Sequence, residues 1–386
     1  MYTLGLFFTR GITLQSWVES GLFDREVLIY HKHISSKFLK KIYWFTYGVN
    51  DSKVAIDLVM KSQLSSRIQI VSCSRFIKVA TFGSSFIYSL FIPFIHFRFL
   101  LKCDLYKTNQ MDGVLPALIS SFLFRRPLYT RTGYTFSRII KKVSSKYSLR
   151  RFYAYILEYI AFRLSSISSV TSNFDNSYVL TCYNLSKPPE IVGNYIDVEK
   201  FNSKHLFNEI QENKILFVGR LSREKNLENT IIACGRLGLT LDVIGRGDEL
   251  NNLQFLATKY QTNVNWLGTV SNNELPLILK NYKYFILPSL FEGMPKSLLE
   301  AMSSGLICIG NNTSGINEVI KDGYNGFLSS SHDSYSIMEA INRAKKCNSI
   351  DVSKAARNFI IENFSISAIL LKEQIIFKKM LDNVIK

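Results

Sequence analysis

Two glutamates eight positions apart, Glu292 and Glu300, bracket a loop-to-helix transition in the stretch Pro288 to Gly305, PSLFEGMPKSLLEAMSSG. A strand-like run, Tyr284 to Leu287, leads into it. Gly293 and Pro295 shape the loop, and Leu298, Leu299, Ala301 and Met302 give the following helix its apolar side. A strand, a glycine-containing loop and a helix start together form a site for an anion or polar ligand, because the first helical amides lack internal partners. At about 1.5 Å of rise per residue, Glu300 is expected about two turns into the helix and roughly 10 Å beyond Glu292. That is too far for two carboxylates sharing a proton. It suits two contacts along one extended ligand. The alternative is a capped surface helix with two solvated glutamates.

Four other stretches could carry chemistry. Arg220 and Lys225 follow the strand-like run Lys214 to Val218, in a loop before a helix. Two cations with exposed amides match a diphosphate; taken by charge alone, they are equally a solvated surface pair. Gly245-Arg-Gly-Asp-Glu249 closes the strand-like Thr240 to Ile244. It lacks the G-x-G-x-x-G spacing, so its glycines are expected to allow a tight turn and a close approach of a ligand or a neighbouring helix. Gly315 to Glu318 and Lys321 to Gly326 are further glycine-bearing loops, the second readable as a simple turn. No G-x-S-x-G, H-E-x-x-H, Walker or kinase signature is present.

These groups need a scaffold that sets strand ends side by side. Short strands alternate with longer helical patterns, which argues for α/β layering. In the first half, strands are expected at 2–8, 26–30, 42–45, 68–73 and 127–129, with helices starting near Leu14, over Ala55 to Leu64 with Ser52 as a possible cap, over Val114 to Phe124 and over Phe152 to Leu164. A basic stretch, Arg138 to Arg151, leads into the last of these. The polar segments Lys107-Thr-Asn-Gln110 and Thr130-Arg-Thr-Gly-Tyr134 follow strands, where an open sheet faces its ligand. In the second half, Ser271 to Tyr282 reads as a helix with a capping box from Ser271 to Glu274, and Gly315 to Ile320 as another helix. A linker is expected between Pro188 and Gln211.

The 386 residues are comfortable for two domains. The chain carries a formal charge of +17, very unevenly. Through Tyr195 there are 25 Lys and Arg against 10 Asp and Glu; after it, 22 against 20. A basic first half suits nucleic acid, an acidic polymer or anionic lipid. The six cysteines are scattered singly, without a C-x-x-C pair or Cys/His cluster. Neither a disulfide scaffold nor a structural zinc site is expected, and a reducing compartment fits. No signal peptide is read at the start. One membrane-like run, Phe82 to Leu101, contains His96, Arg98 and Pro93. It is expected to be a buried or interface-lying helix rather than a span.

In combination, VGRLSREKN, VIGRGDE, PSLFEGMPKSLLEAMSSG and SGINEVIKDGYNGFL resemble the retaining glycosyltransferases of the large GT-B superfamily, group four, with order and gaps matching across Ile215 to Leu328. In the first half TRGITLQSWVESGLFDRE, YKTNQMDG and RTGY resemble, more loosely, a subgroup working in bacterial surface-polysaccharide assembly. The resemblance implies two Rossmann-like α/β domains facing each other across a cleft: residues 1–195 on the acceptor side, 196–364 binding the nucleotide sugar, and a helix at 365–386 crossing back. It implies that Arg220 and Lys225, beside Gly219, hold the nucleotide diphosphate; that Glu300 binds the ribose; and that Glu292, with Gly293, Met294, Pro295, Lys296 and Leu299 around it, binds the donor sugar. The base would lie near Gly245, Gly247 and Leu267. No metal and no separate cofactor are implied.

The same resemblance implies transfer of a sugar, with retention, from a nucleotide sugar to a lipid-linked saccharide. The protein would be peripheral on the cytoplasmic face of the inner membrane, with its basic first domain on an anionic surface, in O-antigen or capsule assembly. Two departures concern the acceptor side. Arg10-Gly11-Ile12 replaces a paired-glycine loop, and a first-domain histidine has no match, its neighbourhood falling to Asn109 or Arg131. Other readings are a non-catalytic nucleotide-binding relative, a nucleic-acid-binding protein, for which no recognition module is visible, and a nicotinamide-dependent dehydrogenase, for which the phosphate loop is wrong.

Overall fold

The computed structural model describes residues 1–73, 82–133, 135–138, 149–202 and 212–385. Most of the basic stretch before the long helix (139–148), Tyr134, and residues 203–211 of the expected boundary region lie outside the described residues. The chain divides into two compact units, Met1–Gly193 with Leu370–Lys386, and Asn194–Ile369.

The first unit is built on seven parallel strands: β1 Tyr2–Phe7, β2 Leu39–Phe45, β3 Ile68–Val71, β4 Leu105–Thr108, β5 Leu128–Arg131, β6 Ile167–Val170 and β7 Glu190–Ile191. Their order is β3-β2-β1-β4-β5-β6-β7. The central strands are apolar along their length because helices cover both faces of the sheet; β1 is buried from Thr3 to Phe7. The order reverses between β1 and β4. Right-handed crossovers therefore put the connections after β3, β4 and β5 on one face and those after β1 and β2 on the other.

Residues 26–30, expected as a strand, lie inside the helix Phe23–Ser35. The apolar positions that decide it, Phe23, Val27, Tyr30 and Ile34, recur at helical spacing over a longer window, and all four are buried. Asn50, not Ser52, occupies the N-cap of the helix Asp51–Met60. The run from Phe82 forms a helix to Ile95, breaks at His96 and resumes as Phe97–Leu100. No helix among the described residues is long and apolar enough to cross a membrane.

The second unit has six parallel strands, β8 Lys214–Val218, β9 Thr240–Ile244, β10 Val264–Gly268, β11 Tyr284–Leu287, β12 Ile307–Asn311 and β13 Phe327–Ser329, in the order β10-β9-β8-β11-β12-β13. Its core runs through Leu216, Phe217, Phe285, Leu298 and Ile309. The Ser271–Glu274 box is formed, but the helix there spans only Leu275–Leu279. Pro276 sits in the first turn, where its missing N–H costs no internal bond, and the helix ends where Asn281 N and Tyr282 N bond three residues back, to Ile278 O and Leu279 O. Residues 315–320 are turns, not an α-helix. The bonds there converge on two carbonyls, Thr313 O from Ile316 N and Asn317 N, and Ile316 O from Val319 N and Ile320 N, so two turns form in place of a continuous ladder.

The final helix, Ile366–Ile385, belongs to the first unit from Leu370 on. There Glu373 is buried between Lys107 of β4, at 2.7 Å, and His33, at 3.1 Å. Burial lowers the proton affinity of both His33 and Lys107. Burial alone would raise the Glu373 carboxyl, but Lys107 and His33 outweigh it and hold it well below the usual carboxylate range. His33 Nδ1 is buried without a partner, which fits a neutral ring whose Nε2–H donates to Glu373.

Candidate functional site

The second sheet reverses its strand order between β8 and β11. β8 pairs with β9 along all five of its residues, but with β11 only at Ile215 and Leu216, opposite Tyr284 and Phe285. The two strands part before their carboxyl ends. The loops that leave them, 219–226 and 288–295, stand at that opening. Ligands of open α/β sheets sit at such reversals, outside the carboxyl ends of the strands.

The first loop turns through a 3-10 segment, Arg223–Lys225, and ends on Asn226 in the left-handed conformation. The Glu224 carbonyl accepts from Leu290 N at 2.8 Å, which ties the loop to its neighbour. Lys225 Nζ donates to Glu292 Oε1 at 2.5 Å, and Ser289 Oγ donates to the same oxygen at 2.6 Å. The Lys225 and Glu292 side chains are only 18% and 13% exposed. Partly removed from water, their charges act on each other and on any ligand more strongly than a surface pair does. Arg220 is exposed and makes no hydrogen bond among the described residues. Burial tends to raise the Glu224 carboxyl, but the Ser222 hydroxyl, its own backbone amide, Lys225 and Arg220 outweigh it and lower it.

The second loop is held from beneath. Asn311, at the end of β12, donates to the Pro288 carbonyl, and its Oδ1 accepts from Ser329 Oγ at 2.6 Å. Thr313 Oγ1 donates to Ser289 O at 3.3 Å, and Glu292 N donates to Ser314 O at 3.3 Å. Gly315 has φ +80°, and a Cβ there would collide with the Gly293 carbonyl, so only glycine lets the 315 turn support the loop. Asn194 Nδ2 donates to Met294 O at 2.9 Å. Asn226 Nδ2 donates to His332 O at 2.9 Å, and the His332 ring contacts Asn311.

The helix after this loop starts at Lys296, with Pro295 as N-cap. The residue before a proline is disfavoured in helix, so the loop cannot wind up earlier. Glu300 therefore lies about one turn in, roughly 6 Å of rise, rather than two turns. It is 5% exposed and accepts from Asn272 Nδ2 at 3.2 Å. Met294 and Leu299 are buried, and Leu299 N donates to Pro295 O at 3.3 Å. Lys296 Nζ lies 5.7 Å from the centre of the Tyr195 ring.

Gly219, Gly245 and Gly268 end three adjacent strands and bond across them. Gly219 N donates to Ile244 O at 2.9 Å, and Gly245 N to Gly268 O at 2.7 Å. Gly245 has φ +147°, and a Cβ on it would run into the Gly219 carbonyl. The close approach anticipated for this loop is thus to the neighbouring backbone. Gly247 lies against the backbone of Leu221. Leu267 is 44% exposed beside them.

In the first unit, Gly11 is exposed in the loop after β1, Asn109 follows β4, and Arg131 ends β5. β1, β4 and β5 are neighbours, so the three stand at adjacent strand ends. Asn109 exchanges hydrogen bonds with the Tyr30 hydroxyl at 2.7 and 2.9 Å, and Arg131 donates to Gly193 O at 3.1 Å. Arg10 and Asp112 join the loops after β1 and β4 at 2.8 Å.

Ser289, Asn311, Thr313 and His332 were not anticipated as parts of the site. Their one sequence signal is a cluster of polar residues at strand ends. Among the described residues no group of three His, Cys, Asp or Glu side chains could hold a metal ion.

Residues 197–363 match the family described as Glycosyl transferases group 1. The chain is 32% identical over 201 residues to an Escherichia coli UDP-Gal:alpha-D-GlcNAc-diphosphoundecaprenol alpha-1,3-galactosyltransferase, covering 46% of this chain and 50% of that protein. The alignment thus spans about half the length of that relative. An uncharacterized glycosyltransferase of Methanocaldococcus jannaschii is 26% identical over 303 residues, covering 75% of this chain and 76% of that one. Among solved structures, Anabaena HepE in complex with UDP superposes with TM-score 0.73 at 16% identity, over 98% of this chain and 100% of that one. Sucrose-phosphate synthase of Thermosynechococcus elongatus gives 0.74 at 15%, over 99% and 100%. At these identities the structural likeness is one of fold.

Proposed function

With residues 197–363 a glycosyl transferases group 1 domain in a chain of GT-B fold, we propose that this protein moves a sugar, with retention, from a nucleotide sugar to a lipid-linked saccharide. The observation that carries the reading is the Lys225–Glu292 pair where β8 and β11 part. A cation for a diphosphate and a carboxylate for sugar hydroxyls stand in contact, as a nucleotide sugar requires. Arg220, exposed on the same loop, adds a second positive charge. Together the two cations take up the charge that develops on the leaving diphosphate. Glu300 serves the ribose, the backbone around Gly293 to Lys296 serves the sugar with Glu292, and the base lies toward Gly245, Gly247 and Leu267.

In the transfer, the bond from the anomeric carbon to the diphosphate oxygen breaks and its electron pair leaves with the diphosphate. The acceptor hydroxyl attacks from the same face, and its proton passes to the departing diphosphate. Glu292 positions the sugar and forms no covalent bond. Gly11, Asn109 and Arg131 are assigned to the acceptor side. The E. coli relative, named for action on a diphosphoundecaprenol-linked sugar, supports a lipid-linked acceptor. So does the basic excess of the first half, which favours an anionic membrane surface. We place the protein on the cytoplasmic face of the inner membrane, in O-antigen or capsule assembly.

The test is calorimetry with a panel of nucleoside diphosphates and their sugars, starting from UDP. Binding of one base, weakened about tenfold or more in Lys225→Ala, is expected. A folded protein that binds none of the panel overturns the reading. Binding without transfer to any lipid-linked acceptor reduces it to nucleotide recognition alone.

A further inference from the structure

Three helices of the first unit turn apolar side chains outward. In the helix Phe82–Ile95, the side chains of Ile87, Phe91 and Phe94 are 56%, 51% and 59% exposed, at helical spacing along one stripe, while Tyr88, Ser89 and Ile92 on the opposite side are buried. The helix Leu149–Leu164 repeats the arrangement. Leu149, Phe152, Ile156 and Tyr159 follow steps of three and four on its outer side, with Phe152 65% exposed. Between them the helix Val114–Phe124 packs on both and exposes 85% of Phe122. These are the connections after β3, β4 and β5, which share one face of the sheet. The outer stripes therefore form one surface, in which aromatic rings predominate.

Among the described residues, the exposed charges around this surface have one sign. Arg98, Lys102, Arg125, Arg150 and Arg163 are exposed on or beside the three helices. The acids of the same stretches are turned to other work. Asp104 accepts from Thr3 N, Asp112 holds Arg10, and Glu158 is fully buried on the amides of Phe136 and Ser137. Arg98 and Arg163 lie over the rings of Phe97 and Tyr159, at 5.8 and 4.5 Å. Apolar rings that enter hydrocarbon, ringed by cations at the level of headgroups, are the pattern of an in-plane membrane contact. Among the described residues the charges at this surface are cations, which complement the headgroups of anionic lipid.

We propose that the outer face of the Phe82–Ile95, Val114–Phe124 and Leu149–Leu164 helices is the surface by which the first unit rests on a bilayer rich in anionic lipid. It deepens the membrane contact of the proposed function by naming the surface, and it rests on that reading only for its purpose.

The test is co-sedimentation of the full chain with phosphatidylcholine vesicles, with and without phosphatidylglycerol, alongside nucleotide calorimetry on the same samples. The wild type is expected to sediment with the anionic vesicles and less so as salt rises. The triple variant Phe91→Glu, Phe122→Glu, Phe152→Glu should lose at least about tenfold in vesicle binding. Its melting temperature and nucleotide affinity should not change, since each replaced ring is more than half exposed. Arg98→Gln with Arg150→Gln should cost roughly fivefold per cation on anionic vesicles only. A wild type that ignores anionic vesicles overturns the proposal, as does a triple variant that binds them fully. A concentration-dependent dimer abolished by the triple variant, without vesicle binding, reassigns the face to a second copy and also overturns it. Nucleotide binding without vesicle binding sinks this inference alone; vesicle binding without nucleotide binding sinks the donor assignment alone.

Discussion

Both sheets reverse their strand order once, and in each an ion pair joins the two loops at the reversal. In the first unit β1 and β4 stay paired to their last residues, from Leu4 with Leu105 to Phe7 with Thr108. Arg10 and Asp112 close that reversal, with Arg10 only 8% exposed and its guanidinium 5.2 Å from the centre of the Tyr153 ring. In the second unit β8 and β11 part early, and Lys225 and Glu292 meet at the opening. One pair is packed into the protein by a ring. The other stands on loops whose backbones are fastened from below. The same topology thus carries a ring-covered clasp in one place and, in our proposal, the donor-binding pair in the other. What separates them is whether the strands stay together and what covers the charges.

Charge pairs that only hold structure should be measured in stability. The largest effect is expected at Glu373, whose removal leaves Lys107 charged and buried. Glu373→Ala should lower unfolding free energy by about 3–5 kcal/mol, read by urea denaturation. A loss below about 1 kcal/mol would show that water or another side chain replaces the carboxylate.

At the opening of the second sheet the effect should appear in turnover instead. Glu292→Ala is expected to cut transfer about 10²–10³-fold with the melting temperature nearly unchanged, and to leave nucleoside diphosphate binding in place because Lys225 remains. Near-normal transfer would remove Glu292 from the mechanism.

The clasp of the first unit should respond in the opposite way. Asp112→Asn should cost about 1–3 kcal/mol of stability and leave nucleotide affinity untouched. If nucleotide affinity fell and stability held, the contrast between the two pairs would be broken.

The smallest effect is a pH dependence. Burial lowers the proton affinity of His33 in the folded state. Below about pH 6.5 the unfolded chain then takes up a proton that the native state refuses, so stability is full above that value and declines as pH falls. Glu373, held low, adds a loss of the same sign below the ordinary carboxylate range. Denaturation midpoints at pH 7.5 and 5.5 should differ accordingly, and His33→Gln should flatten the difference.

Alternation of short strands with longer helical patterns was enough to read α/β layers, and the strand-like runs Lys214–Val218, Thr240–Ile244 and Tyr284–Leu287 are strands with those bounds. The misreadings come from windows too short to show their period. Residues 26–30 look like a strand until Phe23 and Ile34 are counted with them. Residues 315–320 have helical spacing, but their amides converge on the Thr313 and Ile316 carbonyls and form turns.

The sequence by itself determined the kind of site: a glycine-containing loop between a strand and a helix, two glutamates, and two cations after another strand. Those features are local, because a loop and its helix start take their geometry from a few neighbouring residues. Only the tertiary structure decided which groups meet. Lys225 and Glu292 are 67 residues apart, Arg10 and Asp112 are 102 apart, and Lys107 and Glu373 are 266 apart. Strand order brings each pair together, and strand order is set by how whole layers bury their apolar faces rather than by the charged residues themselves.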